Sequence, residues 1–129
     1  MTGTTTARAV DAPAWLVEFY GHVDALDTEA VLARFAPDAS MRYGAGDPLP
    51  GHEAIRAGLT YLFTTYRRIG HEFLGVWESG TTLMLEATVT YGLPDGREVA
   101  VPALTVIEHR DGAIDDLRIF IDPTPAQVG

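Results

Sequence analysis

Three runs decide the fold: Leu83–Tyr91 (LMLEATVTY), Val99–Ile107 (VAVPALTVI) and Ile114–Ile121 (IDDLRIFI). β-branched and other apolar residues dominate each of them, as strands prefer. Between the runs stand Gly92–Gly96 (GLPDG) and Arg110–Gly112 (RDG). An Asp-Gly pair between two apolar runs is a strong short-range hairpin signal. A further strand is predicted just before, over Gly70–Glu78, closed by Ser79 and Gly80. The four read as an antiparallel meander. The runs are apolar on both faces, so both faces require cover. Helices from the N-terminal half cover one; a partner subunit or a cavity takes up the other.

Upstream of the meander the pattern turns helical. Asp11 is expected to cap a first helix, with Pro13 inside its first turn. Trp15, Leu16, Phe19, Val23 and Leu26 then share a face to about Ala25. A short second helix restarts at Asp27 and carries Val31, Leu32 and Phe35; the Ala36-Pro37-Asp38 stretch is expected to end it. Ala39–Tyr43 reads as a short strand and Gly44–Gly51 as a loop of breakers. A third helix spans His52–Tyr66, with Ile55, Leu59, Leu62, Phe63 and Tyr66 on its buried face. Pro102 is expected to mark a bulge or sharp bend. Residues 1–10 are expected to be a disordered tail, 11–125 a single domain and 126–129 a C-terminal tail. The fold class is α+β: a cone-shaped barrel of three N-terminal helices packed on a strongly curved, mostly antiparallel sheet. Such a cone has an apolar interior, as ligand pockets do.

Composition narrows the functions. The 129 residues are 47% apolar and 21% charged, a globular balance. No stretch approaches the roughly 18 to 20 consecutive apolar residues of a membrane span, and the N-terminus has no secretory h-region. Cysteine is absent, which removes disulfides and thiol chemistry and fits a reducing cytoplasm. The net charge of −9 repels phosphate backbones and anionic lipid, so nucleic acid and membrane are not expected partners. Ala, Gly and Arg usage suggests a bacterial source. His22, His52, His71 and His109 lie far apart with no His-x-His or His-x-x-x-His pair, so no metal is expected. Ser40 and Ser79 lack a nucleophile-elbow setting. No glycine-rich loop follows a strand and opens a helix in the dinucleotide pattern. Cofactor-free chemistry is what remains.

Four stretches carry a family resemblance: Phe19–Asp27 (FYGHVDALD), Arg34–Tyr43 (RFAPDASMRY), Gly51–Ile55 (GHEAI), and Asp111–Ile114 running into Arg118–Asp122. Together they resemble the nuclear transport factor 2-like superfamily and, within it, the SnoaL-like proteins, over about residues 12 to 125. The superfamily includes ketosteroid isomerase, limonene epoxide hydrolase, polyketide cyclases, scytalone dehydratase and non-catalytic binders. The resemblance implies a homodimer through the sheet face. Ketosteroid isomerases place a carboxylate base at the position of Tyr43, an acidic donor at about Leu104 and a tyrosine near Phe19, with Tyr20 one step off. All three differ here, so that mechanism is not expected. Limonene epoxide hydrolases and SnoaL-type cyclases use a last-strand aspartate where this chain has Ile119. The pattern of scytalone dehydratase matches more fully: its pocket tyrosine falls at Tyr43, its helix-1 aspartate at Asp24 and a strand histidine at His71. Its second helix-1 tyrosine is replaced by Val23, and its second histidine has no counterpart.

The candidate catalytic residues are therefore His71 as general base, Asp24 as the group orienting it, and Tyr43 as donor to a developing oxyanion. Phe19, Tyr20, Phe63, Tyr91, Leu104, Ile119 and Ile121 are candidate substrate contacts. Each also has a plainer reading. His71 fits a strand-edge histidine, Asp24 a solvated carboxylate at the helix end that the dipole does not favour, and the aromatics core or dimer interface. Two functions stay open: a cofactor-independent dehydratase, isomerase or cyclase acting on an apolar polycyclic or polyketide-like molecule, or a non-catalytic binding or assembly module for a small hydrophobic molecule.

Overall fold

A computed structural model describes residues 11–127; the expected N-terminal tail lies outside them. Helix α1 spans Ala14–Asp24 and buries Leu16, Phe19 and Tyr20. Its cap is Pro13, whose carbonyl accepts from the Leu16 and Val17 amides at 3.0 and 3.2 Å. Asp11 lies outside the helix, so the expected aspartate cap is replaced by a proline that supplies only its carbonyl. Leu26 adopts φ +58 and turns the chain so that Asp27 caps α2 (Thr28–Leu32), its carboxylate accepting from the Ala30 amide at 3.1 Å.

Strand β1 covers Phe35–Tyr43, so Phe35 opens a strand and does not sit on α2. The register of β1 against its neighbour shifts between Phe35 and Ser40. Pro37 falls in that interruption, where a missing N–H costs no ladder bond. After the two-residue strand β2 (Leu49–Pro50), helix α3 spans Gly51–Thr65 and buries Ile55, Leu59 and Phe63, one residue every turn. Four long strands follow: β3 (Arg68–Ser79), β4 (Thr82–Gly92), β5 (Glu98–Arg110) and β6 (Ala113–Ile121).

The sheet order is β2-β1-β6-β5-β4-β3. Only β1 and β6 run parallel among the described strands. The β5–β6 turn has both central residues at positive φ, Asp111 at +53 and Gly112 at +84, the mirror-image turn that suits strand twist. Pro102 produces no bulge: it sits in register opposite Thr88. Pairing of β5 with β6 stops at Ala103, so Pro102 has one neighbouring strand and disrupts nothing. The irregularity falls instead in β3, where Leu74 is the extra residue between Phe73 and Gly75.

Along β4 and β5 the side chains alternate. Leu83, Leu85, Ala87, Val89 and Tyr91 of β4, and Val101, Ala103, Thr105 and Ile107 of β5, are buried on one face, against α1 and α3. On the other face Leu104 is 37% exposed and Phe120 55%; the two are register partners on β5 and β6. The expected tail at 126–129 is anchored at its first residue. Thr124–Ala126 forms a 3-10 turn, Ala126 is fully buried, and its carbonyl accepts from the Tyr66 hydroxyl at 3.1 Å. No described helix is long and apolar enough to cross a membrane.

Candidate functional site

Helix α1 ends at Asp24 beside the first half of β3, and the aspartate grips one residue of that strand twice. Its Oδ2 accepts from the His71 amide at 3.1 Å and its Oδ1 from the His71 ring Nδ1 at 2.7 Å. A carboxylate at this distance accepts, so Nδ1 carries a proton, and in the neutral ring the lone pair lies on Nε2. The His71 side chain is 12% exposed and that of Asp24 33%. Tyr20 packs on the imidazole with ring centroids 4.6 Å apart, and Phe73 meets the Tyr20 ring edge-on at 5.4 Å. The imidazole is thus fixed by a carboxylate on one edge and an aromatic ring on one face.

A second polar pair comes from strands that are not neighbours. Tyr43 ends β1 and Tyr91 lies near the end of β4, with β6 and β5 between them, yet their hydroxyls are 2.5 Å apart. Across three flat strand spacings of about 4.8 Å the backbones would stand roughly 14 Å apart; the two long side chains span that gap over the inner face. Tyr91 also packs on Tyr66, centroids 4.4 Å apart. Burial pushes the Tyr43 phenol up to about 12, with the bonded Tyr91 hydroxyl opposing the rise. Tyr20 is pushed up to about 12 by burial as well, opposed by the Thr105 hydroxyl and reinforced by the Asp24 charge. Tyr91 is raised further still, chiefly by burial and then by its neighbour Tyr43. All three phenols therefore keep their protons near neutrality and act as donors. Because one proton of the Tyr43–Tyr91 pair is spent between them, the pair offers one more to a bound group.

His71 of the first pair and both tyrosines of the second face one internal cavity of about 50 Å³, which Tyr20, Thr105 and apolar side chains also line. That volume has room for only a few waters. Phe19, Phe63, Ile119 and Ile121, apolar candidate contacts, stand in its wall. Asp24 does not; it lies behind His71. Leu104 does not either, because the side-chain period of two puts its neighbours Ala103 and Thr105 on the cavity and Leu104 on the opposite face. Sequence reasoning passed over Thr105. Its signal was a lone hydroxyl among the inward positions Val101, Ala103 and Ile107. Among the described residues no three His, Asp or Glu side chains gather into a metal site.

With this geometry in hand, residues 16–117 match the family described as the SnoaL-like domain. The chain belongs to the SnoaL-like domain family. A curated relative, the epoxide hydrolase LasB of Streptomyces lasalocidi, is 34% identical over 112 residues, covering 81% of this chain and 39% of that protein. The chain thus spans about two fifths of that relative's length. Among solved structures, a nuclear transport factor 2-like protein of unknown function from Burkholderia pseudomallei K96243 superposes with a TM-score of 0.77 at 19% identity, covering 87% of this chain and 91% of that one. SalBIII, described as an epoxide hydrolase/cyclase-like enzyme in pyran ring formation in the polyether salinomycin, superposes with a TM-score of 0.73 at 19% identity, covering 85% and 89%. At such identities these structures share the fold. In this SnoaL-like chain the last-strand position, Ile119, is an apolar wall residue, so the acid/base groups available to the cavity are His71 and the three phenols.

Proposed function

We propose that this SnoaL-like protein is a cofactor-independent enzyme of the dehydratase, isomerase or cyclase type, acting by proton transfer on an apolar, polycyclic or polyketide-like molecule. The observation that carries the reading is His71, held by Asp24 at 2.7 Å and set with a paired tyrosine donor in the wall of one apolar cavity. His71 Nε2 takes a proton from carbon next to a carbonyl. Tyr43, bonded to Tyr91, donates to the oxygen as negative charge collects there. Asp24 holds the Nδ1 proton and stabilises the imidazolium that forms. That imidazolium then returns its proton, to a leaving hydroxyl in a dehydration or to another carbon in an isomerisation. The meeting of Tyr43 with Tyr91 across two intervening strands supports a cone-shaped barrel, its three helices covering the inner face over residues 11–125.

A second reaction suits the same groups and is favoured by the 34% identity to an epoxide hydrolase. Tyr43 donates to an epoxide oxygen while His71 Nε2 takes the proton of an attacking hydroxyl or water, opening one C–O bond as another forms. Both reactions need the lone pair on Nε2. The opposite sheet face, with Leu104 and Phe120 exposed side by side, is proposed as the surface of a homodimer. The test is a screen of polyketide-like hydroxyketones and epoxides against wild-type protein and His71→Ala. Turnover that vanishes in the variant supports the reading. Unchanged turnover in the variant removes His71 from the mechanism, whereas a bound hydrophobe returned unaltered by the wild type after long incubation favours a binding module.

A further inference from the structure

The inner cavity is too small for the molecule it is proposed to act on, and the protein has a larger space directly outside it. A groove of about 710 Å³ lies at the Tyr43 end, within the range of small-molecule sites. Met41, Tyr43 and Leu62 belong to both walls, so the two spaces adjoin at these side chains. The groove is built from the Gly44–Pro48 loop, the outer side of α3 and the segment after β6. Its one charged side chain among the described residues is Asp47. Tyr61 stands in it with 73% of its surface exposed, a large ring that no part of the core uses. Gly58 keeps the floor open: a Cβ there would come within 2.5 Å of Leu49 Cδ1 and drive that side chain from its seat.

We propose that this groove is a second binding subsite, taking the neutral, apolar remainder of a molecule whose reacting carbon lies in the inner cavity. The inference rests on the reading of His71 and Tyr43 as the reacting end. With room for only a few waters inside, anything larger than a small fragment must extend outward, and the Tyr43 wall is where the two spaces adjoin. Tyr61 supplies a face for stacking. Asp47, in a chain of net charge −9, selects against a carboxylate or phosphate on that portion.

N-phenyl-1-naphthylamine, a neutral dye too large for the inner cavity, tests this by fluorescence titration of the full chain. Thr65→Trp and Gly58→Leu each fill the groove from α3, and the pair guards against one variant failing to fold. Wild type should bind the dye, and at least one folded groove variant should lose about tenfold or more in affinity. His71→Ala should bind within about twofold of wild type, since it alters only the inner cavity. The anionic dye 8-anilino-1-naphthalenesulfonate should bind more weakly than the neutral one, and Asp47→Asn should narrow the difference. No dye binding by wild type, or undiminished binding in folded groove variants, overturns the subsite. Equal or tighter binding of the anion overturns the preference for neutral ligands. If the dye behaves as stated while His71→Ala keeps its turnover, the catalytic reading fails and the groove stands.

Discussion

At the scale of single residues, the tautomer of His71 is the point on which the chemistry turns. His71→Ala should lower turnover by ~10²–10⁴-fold with an unchanged circular dichroism spectrum, because the side chain lies at the edge of the core. Asp24→Asn is the sharper test. An amide can present N–H to Nδ1, which would move the ring proton to Nε2 and remove the base; turnover should fall on the order of 10²-fold or more, measured with the same substrate. Buried phenols give a second expectation. Tyr20 and Tyr43 are raised to about 12 in the folded chain, against about 10 when unfolded. Stability is therefore intact below about pH 10 and is lost as the pH climbs toward about 12, where the unfolded chain ionises first. Each phenol withdraws roughly 2–3 kcal/mol over that window. Thermal unfolding followed across it should show the loss, and Tyr20→Phe should make it shallower. The grouping of Asp24, Tyr43 and His71 came only through resemblance, since no spacing joins residues from α1, β1 and β3. The Tyr43–Tyr91 bond was not visible, because it depends on side chains meeting across two intervening strands.

Among elements, the β5–β6 hairpin is the one whose chemistry is written most plainly. Asp111 and Gly112 both take positive φ, and Asp-Gly is the pair that tolerates it. The turn is also packed under α1. A Cβ on Gly112 would lie 3.0 Å from Trp15 Cγ, Trp15 stacks on His109 at 4.7 Å, and the Gly112 amide donates to His109 Nδ1 at 3.1 Å. Gly112→Ala should cost about 1–3 kcal/mol, read as a fall in Tm of several degrees, whereas Asp111→Gly should cost little. The same local signals made the four-strand meander and α3 readable to within one to three residues of their ends. Where the reading went astray, tertiary pairing overrode a local sign. Pro37 looked like a helix stop and lies in an interrupted ladder; Pro102 looked like a bend and lies where β6 no longer pairs. Leu104 was misplaced by one residue, which in a strand means the wrong face.

For the molecule as a whole, the uncovered sheet face sets the next question. Phe120 and Leu104 are exposed on a surface whose neighbours are otherwise strand side chains. Sedimentation at micromolar concentration should report a dimer, and Phe120→Glu should shift it to monomer without unfolding, since Phe120 packs on the outside. The topology itself has a further consequence. The parallel partnership of β1 with β6 joins residues such as Ser40 and Asp116, 76 positions apart along the chain. Synthesis runs from the amino end, so β1 leaves the ribosome long before the strand that will flank it exists. Until Ala113–Ile121 follow, Met41 and Tyr43 have no β6 beside them, and the wall they share with Leu117 and Ile119 cannot close. The pocket thus closes only once β6 has been made.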